Sequence, residues 1–378
     1  MLSLTNDQQM ILDSVEQLAN EEFRDKAYTW GSEIPWENIE LLADHGYMGI
    51  NFEEKWGGGG MSEFEVMLIV EILGKICPDT ANFYHANHLI GPRAIEMFGS
   101  EAAKKKYIPP IVEGNDSIAV AISEPEAGSD VQSMNTTVRE ENGELILNGE
   151  KTWVSAVDYS SAAVVWVKFP EGLGSIVVDL DEPNLKISGN YTNMAGHKQA
   201  QFVMEDIVVP EENVLTRDRN AFKQQLKSLN WERLGAAMKS NAWAMSAFNM
   251  ALDYAQNRQQ FDQAIGDFQG NEWKIADMAK RIEASRMLTY SAAQTALDQG
   301  RVPDRLETAI AKLHSTETVL HVVDESLQLH GANGYMKEHP LEYLYRLARG
   351  RRFGAGTDEI IRNNIASVVK ENGLPSHW

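Results

Sequence analysis

Cysteine occurs once in the 378 residues, as Cys77, which excludes an internal disulfide framework and fits a reducing cytoplasm. No apolar run reaches the roughly 20 residues that a membrane helix needs. Met1 leads directly into a helical pattern, without the basic and apolar segments of a secretory leader. The expectation is therefore a soluble, cytoplasmic protein that does not associate with membranes. Positive charge is scarce: 34 Lys and Arg stand against 55 Asp and Glu, a formal net charge of −21. Neither phosphate backbones nor anionic lipid attract such a chain, so a nucleic-acid partner is excluded and an anionic substrate needs a local basic patch. Metal-ligand spacing is missing too. His85 and His88 lie three apart, and His314, His321 and His330 are scattered, with no Cys–His spacing and no His-Glu-x-x-His. There is no Gly-x-Ser-x-Gly elbow, no Walker loop, and no Gly-x-Gly-x-x-Gly after a strand, so a dinucleotide, if bound, is not held in the Rossmann manner.

What the chain does have is a change of period, twice. From Leu2 to about Asp116 the pattern is helical. Thr5 and Gln8 form a capping box, and Ile11, Leu12, Val15, Leu18 and Ala19 recur at helical spacing. Further helices are expected from Trp36 to His45, stopped by Gly46, from Glu63 to Lys75, and from Leu89 to Phe98, with Pro109-Pro110 closing the region. The run Gly57 to Gly60 reads equally as a flexible turn or as a pocket lining. From about Ser117 to Leu215 the pattern is strand-like: Ile118 to Ile122, Leu145 to Leu147, Ala163 to Val167, Ile176 to Val178 and Gln201 to Val209, bounded by Gly and Pro. From about Ala221 onward it is helical again, with a third C-terminal helix expected to begin near Pro303. The fold class that follows is α+β and multidomain: an N-terminal all-α domain over 1–116, a middle antiparallel β-sandwich or barrel over 117–218, and a C-terminal four-helix bundle over 219–378.

Four motifs carry more than architecture. Ser123-Glu-Pro-Glu-Ala-Gly-Ser-Asp130 follows a strand directly; by itself it is a polar turn whose small residues let backbone N–H groups approach a ligand. Arg258 to Gln269 reads RQQFDQAIGDFQ, Gln328 to Tyr335 reads QLHGANGY, and Phe353 to Arg362 reads FGAGTDEIIR. Together, and in this order, they resemble the signature segments of the acyl-CoA dehydrogenase flavoproteins, and the resemblance covers essentially the whole chain. It implies an FAD-dependent oxidation of an acyl-CoA thioester to its trans-2-enoyl product, in fatty acid metabolism. A base removes the proton next to the thioester carbonyl, and flavin N5 takes hydride from the next carbon. A homotetramer, as a dimer of dimers, and an electron-transferring flavoprotein as electron acceptor come with the family.

The resemblance assigns residues one at a time. Ile122 and Ser123, Trp153 and Ser155, Gln328 and the backbone through Gly331, and Thr357 and Glu359 match cofactor contacts. Arg258, Phe261 and Gln269 match residues that reach the flavin of an adjacent subunit, the arginine suiting pyrophosphate by charge and fork geometry. Ser129, Asn230, Arg233 and Gly356 match substrate contacts. Many members place the catalytic Glu immediately before Gly-Thr in the C-terminal loop. This chain has Ala355 there, and a methyl group accepts no proton. The isovaleryl and long-chain types instead place the Glu on an earlier helix, where this chain has Glu232 in Trp-Glu-Arg-Leu. Without the resemblance, Glu232 is a carboxylate near a helix N-terminus, favoured by the dipole. Glu359 is the rival carboxylate.

The chain departs from the family pattern at Ala332 (for Gly), Asp262 (for Gly), Leu347 (for an acidic residue) and Tyr343 (for a basic one). The last two would remove an ion pair. Gly354 and Ala355 hint at room for a branched or bulky acyl group. Other outcomes on the same scaffold are an enoyl-CoA reductase, an oxidase, a lyase on a functionalised acyl-CoA, or a non-catalytic acyl-CoA-binding homologue.

Overall fold

Helices, then strands, then helices follow one another along the chain in the computed structural model, which describes residues 4–374. Leu2, with which the first helical expectation begins, and residues 375–378 lie outside the described residues. The N-terminal helices are α1 (Asn6–Leu18), α2 (Trp36–Asp44), α3 (Glu63–Ile76), α4 (Pro78–Leu89), α5 (Gly91–Phe98) and α6 (Glu101–Val112). The strands are β1 (Ile118–Ala121), β2 (Thr137–Glu141), β3 (Glu144–Ser155), β4 (Ala162–Phe169), β5 (Gly172–Asp179), β6 (Leu185–Thr192), β7 (Lys198–Val209) and β8 (Val214–Thr216). Then come α7 (Ala221–Asn257), a small hairpin of β9 (Gln259–Gln260) and β10 (Gln263–Ala264), α8 (Gln269–Asp298), α9 (Arg305–His330), α10 (Pro340–Gly350) and α11 (Asp358–Asn372). No helix among the described residues is long and apolar enough to cross a membrane.

By contact the chain forms two compact units. One contains the chain up to Trp30, Met67–Asn82 and everything from Arg233 onward; the other contains Gly31–Val66 and Phe83–Glu232. In the second unit the strands make one sheet in the order β6-β7-β3-β2-β4-β5-β8, with β1 paired to β4. The ladders are antiparallel except where β1, and one residue pair of β2, run parallel to β4. The long connection between β1 and β4 is what permits a parallel pairing. Alternate residues of β4 explain its unbroken apolar run. Ala163, Val165 and Val167 join a cluster made from strands at both ends of the sheet, including Phe202 and Met204, so the sheet curls round its own core. Ala162, Val164 and Trp166 face a second cluster with Ile95, Tyr107, Ile108 and Ile111 of α5 and α6.

Pro109 and Pro110 do not end their helix; α6 runs through both to Val112. They sit in its last turn, where each removes one donor, so the Lys105 and Lys106 carbonyls lose their intrahelical partners. The Ser100 cap and the buried Ala103, Tyr107, Ile108 and Ile111 hold the rest in place. The Gly57–Gly60 run is an ordered turn, with Gly59 and Gly60 donating to the carbonyls of Gly49 and Phe52. A side-chain carbon on Gly58 would lie 2.2 Å from the Phe52 oxygen, so the close approach of two backbones demands glycine there. Helix α9 begins near Pro303, as expected, and Asp304 caps it: its carboxylate accepts from the N–H groups of Leu306 and Glu307. The two departures at 343 and 347 are absorbed within the first unit, where Leu347 is buried and the Tyr343 hydroxyl donates to Asp79.

His88 in α4 is fully buried, and its Nε2 accepts from the Gly49 N–H at 2.8 Å while Nδ1 faces the Tyr84 carbonyl at 2.7 Å. An accepting Nε2 carries no proton, so the ring is neutral, and burial pushes its pKa down to about 4. Between the ordinary histidine value and 4 only the unfolded chain takes up this proton, so stability falls as pH falls through that window. The expected loss between pH 7 and pH 5 is about 2 kcal/mol. Urea unfolding of the parent and of His88→Gln at pH 7 and pH 5 checks it. The variant should lose most of the pH dependence over that interval, and an unchanged dependence would place the proton elsewhere.

Candidate active site

In the sheet unit, β1 ends in the Ser123–Asp130 motif. Glu124 and Ala127 exchange backbone bonds and close a tight turn, leaving Ser129 exposed. This turn is tied to β3 at three points. Thr152 N–H donates to the Ser123 carbonyl at 2.9 Å, and Lys151 Nζ donates to the Ile122 carbonyl at 3.0 Å and to Glu124 Oε1 at 2.9 Å. Lys151 is completely buried, and burial pushes its pKa down to about 8. Glu124 also accepts from the N–H groups of Asn135 and Thr136. Sequence reading missed this pair, because a buried lysine looks like any other in a string of letters.

The ladder between β3 and β7 slips between Lys151 and Val154, and Trp153 within the slip has φ +59°. This bulge sends Lys151 inward and leaves Trp153 55% exposed, its ring 5.0 Å from that of Tyr191. Ser155 is exposed on the same strand end. Ile122, Ser123, Trp153 and Ser155 are thus brought together by one set of backbone ties. An exposed tryptophan at left-handed φ is a costly arrangement that a bound flat ring system would justify, so the residues present fit a flavin.

Glu232 lies on α7, in a stretch where every residue from Asn230 to Ala244 is buried except Glu232 itself, which is partly exposed. Its carbonyl accepts from Nε2 of the buried His85 at 3.1 Å. Asn230 is buried close by in the same helix.

In the other unit, Arg233 Nε donates to the Ala355 carbonyl at 3.1 Å, and Lys312 Nζ donates to the Gly356 carbonyl at 2.9 Å. Ala355 and Gly356 are both left-handed, with φ +57° and +99°. Thr357 caps α11, accepting from the Ile360 N–H, and Glu359 in its first turn is exposed. Gln328 and Gly331 are drawn toward the end of α7 by their neighbours: the His330 ring stacks on Tyr254 at 4.3 Å, and Asn333 donates to the Tyr254 hydroxyl at 2.9 Å. Gly331 takes φ +58°, whereas Ala332 does not need positive φ, so its methyl is harmless there. Phe261 and Asp262 form the left-handed tip of the β9–β10 hairpin, which accounts for a glycine-like position at 262. Phe261 is 89% exposed, and Arg258 and Gln269 are exposed as well. Among the described residues no group of three or more His, Cys, Asp or Glu is placed to hold a metal.

Three family models match in sequence: the acyl-CoA dehydrogenase N-terminal domain over residues 5–115, the middle domain over 119–207 and the C-terminal domain over 222–370. The Bacillus subtilis protein named "Probable acyl-CoA dehydrogenase YngJ" is 33% identical over 373 residues, covering 96% of this chain and 98% of its own. The chain belongs to the acyl-CoA dehydrogenase family. Another relative, "Acryloyl-CoA reductase (NADH)" of Anaerotignum propionicum, is 33% identical over 378 residues and covers 97% of this chain and 95% of its own. The solved butyryl-CoA dehydrogenase of Megasphaera elsdenii has a TM-score of 0.89 at 27% identity, covering 98% of this chain and all of its own. The helical, sheet and helical regions described above are those of this enzyme family.

Proposed function

We propose that the chain is an FAD-dependent acyl-CoA dehydrogenase in which Glu232, not the C-terminal loop, provides the base. The observation that carries the assignment is the partly exposed Glu232 carboxylate in the otherwise buried stretch from Asn230 to Ala244, combined with a methyl group at 355. Glu232 takes the proton from the carbon next to the thioester carbonyl. A carbon acid this weak needs its developing enolate oxygen stabilised by donors, and the backbone N–H of the Ala355 loop is one. FAD, when bound, supplies the hydride acceptor for the adjacent carbon. Ile122, Ser123, Trp153 and Ser155, together with Gln328, Gly331, Thr357 and Glu359, would hold it, and Arg258, Phe261 and Gln269 would reach the FAD of a neighbouring subunit. Ser129, Asn230, Arg233 and Gly356 would meet the acyl-CoA. Assembly as a homotetramer is supported by the exposed Phe261 and by Trp273 and Met287 on α8, which are 63% and 51% exposed. An electron-transferring flavoprotein is the proposed acceptor.

The same groups serve the reverse reaction, reduction of a 2-enoyl thioester, and the 33% identity to a protein named as a reductase favours keeping that direction in view. One experiment addresses both. Anaerobic enzyme is mixed with straight, branched, aromatic and carboxylated acyl-CoAs, and reduced enzyme with the matching enoyl-CoAs. At least one acyl-CoA is expected to bleach the flavin, with no response to the free acids. Reoxidation by the enoyl-CoA without bleaching by the acyl-CoA would assign a reductase, and no response from either set would remove the reading.

A further inference from the structure

We infer that Lys312 is a positioning residue for the reaction: its ammonium group holds the 353–357 loop so that the backbone N–H groups of Gly356 and Thr357 face the thioester oxygen. This rests on the acyl-CoA dehydrogenase reading and deepens it. The loop has no side chain suited to chemistry at 355, so its contribution comes from the main chain, and main-chain donors are only as useful as their aim. Two successive carbonyls, of Ala355 and Gly356, are each taken by a buried cation from a different helix. Arg233 of α7 is 7% exposed, and Lys312 of α9 is almost wholly buried. Because a peptide unit is planar, fixing a carbonyl fixes the N–H on its other side. The loop is also zipped at its ends: Asp358 N–H donates to the Arg352 carbonyl at 3.0 Å, and Arg352 Nε donates to Asp358 Oδ2 at 2.6 Å.

Lys312 is joined to this zip, with Nζ 3.5 Å from Asp358 Oδ1, and Thr316 one turn on lies 3.2 Å from the same oxygen. Asp358 is shared between Lys312 and Arg352, so one carboxylate answers two cations. Of the two Lys312 bonds, the shorter goes to the loop carbonyl, at 2.9 Å.

The test uses holoenzyme, the acyl-CoA that bleaches the parent flavin, and its enoyl-CoA product labelled with ¹³C at the carbonyl. Lys312→Met is compared with Lys312→Met/Asp358→Asn, which removes both charges. Flavin reduction in Lys312→Met is expected to fall on the order of 100-fold with substrate affinity within about threefold. The infrared C=O stretch of the bound enoyl-CoA should move from its lowered value in the parent back toward that of free thioester. The double variant should recover melting temperature but neither the rate nor the stretch. Parent-like rate and stretch in Lys312→Met, or their recovery in the double variant, would overturn the inference and leave Lys312 a matter of charge balance. Glu232→Gln should keep the lowered stretch while losing flavin reduction, so a wrong base assignment is seen separately from a wrong clamp. If no thioester bleaches the parent flavin, the underlying reading falls and the inference falls with it.

Discussion

Glu232→Gln is expected to slow flavin reduction by about 10³–10⁴-fold, the usual size of a positioned acid–base contribution. The amide keeps the volume and much of the hydrogen bonding of the carboxylate but cannot take a proton, so substrate affinity should stay within a few fold and FAD should remain bound. Rapid-mixing absorbance at the flavin band, with substrate in excess and oxygen excluded, reads the rate directly. The matching substitution at Glu359, an exposed residue in the first turn of α11, should change the rate less than about tenfold. If Glu232→Gln reduces its flavin at the parent rate, the base is another group, and a large loss at Glu359 instead would name it.

Lys151→Met carries the largest expected cost in stability. It leaves Glu124 buried without its cation and the Ile122 carbonyl without its donor. Removing one partner of a buried ion pair costs about 3–5 kcal/mol. Replacing both, as Lys151→Met/Glu124→Gln, should recover a substantial part of that loss, because no charge is then left unpaired. Burial alone would push the Glu124 carboxyl up. The N–H groups of Asn135 and Thr136, together with Lys151, outweigh it and hold the group below the ordinary carboxylate value. A carboxyl lowered in the folded state stabilises above its unfolded pKa, and that contribution is lost as pH falls through the folded value. The parent should therefore weaken on the acid side of the carboxylate range, and Glu124→Gln should flatten that limb. Thermal melts at several pH values, with flavin content measured alongside, test both statements. A Lys151→Met protein as stable as the parent would mean that the pair is not the anchor of the Ser123 turn.

How much of this could be read from the letters alone depends on where each residue sits. The architecture follows from period, and strands such as β4 announce themselves because both faces are buried. The elements not anticipated are those whose surroundings hide the period. Helix α4 is almost entirely buried yet carries Asp79, Thr80, His85, Asn87 and His88, so neither an apolar stripe nor a polar face is visible. Strand β6 lies at the sheet edge and is mostly exposed, and β2 buries only Val138 along its length. Polar strands of this kind make no apolar run to detect. At the site, motifs marked the loops that are proposed to meet ligands, since small residues at fixed spacing are rare. The buried charges beneath those loops, Lys151, Glu124, Lys312 and Asp358, were not singled out, because burial is a property of the fold and not of the residue name.

Ala355 has a consequence for how the catalyst can diversify. With φ +57° and its carbonyl and its neighbour's both clamped, the position contributes main-chain atoms to the loop and only a methyl group beyond them. Substitution there is consequently filtered by handedness: glycine, asparagine and aspartate enter at least cost, unbranched side chains such as the glutamate of other members at more, and β-branched residues at most. The repertoire of acyl shapes that this scaffold could come to accept at residue 355 is bounded by a torsion angle.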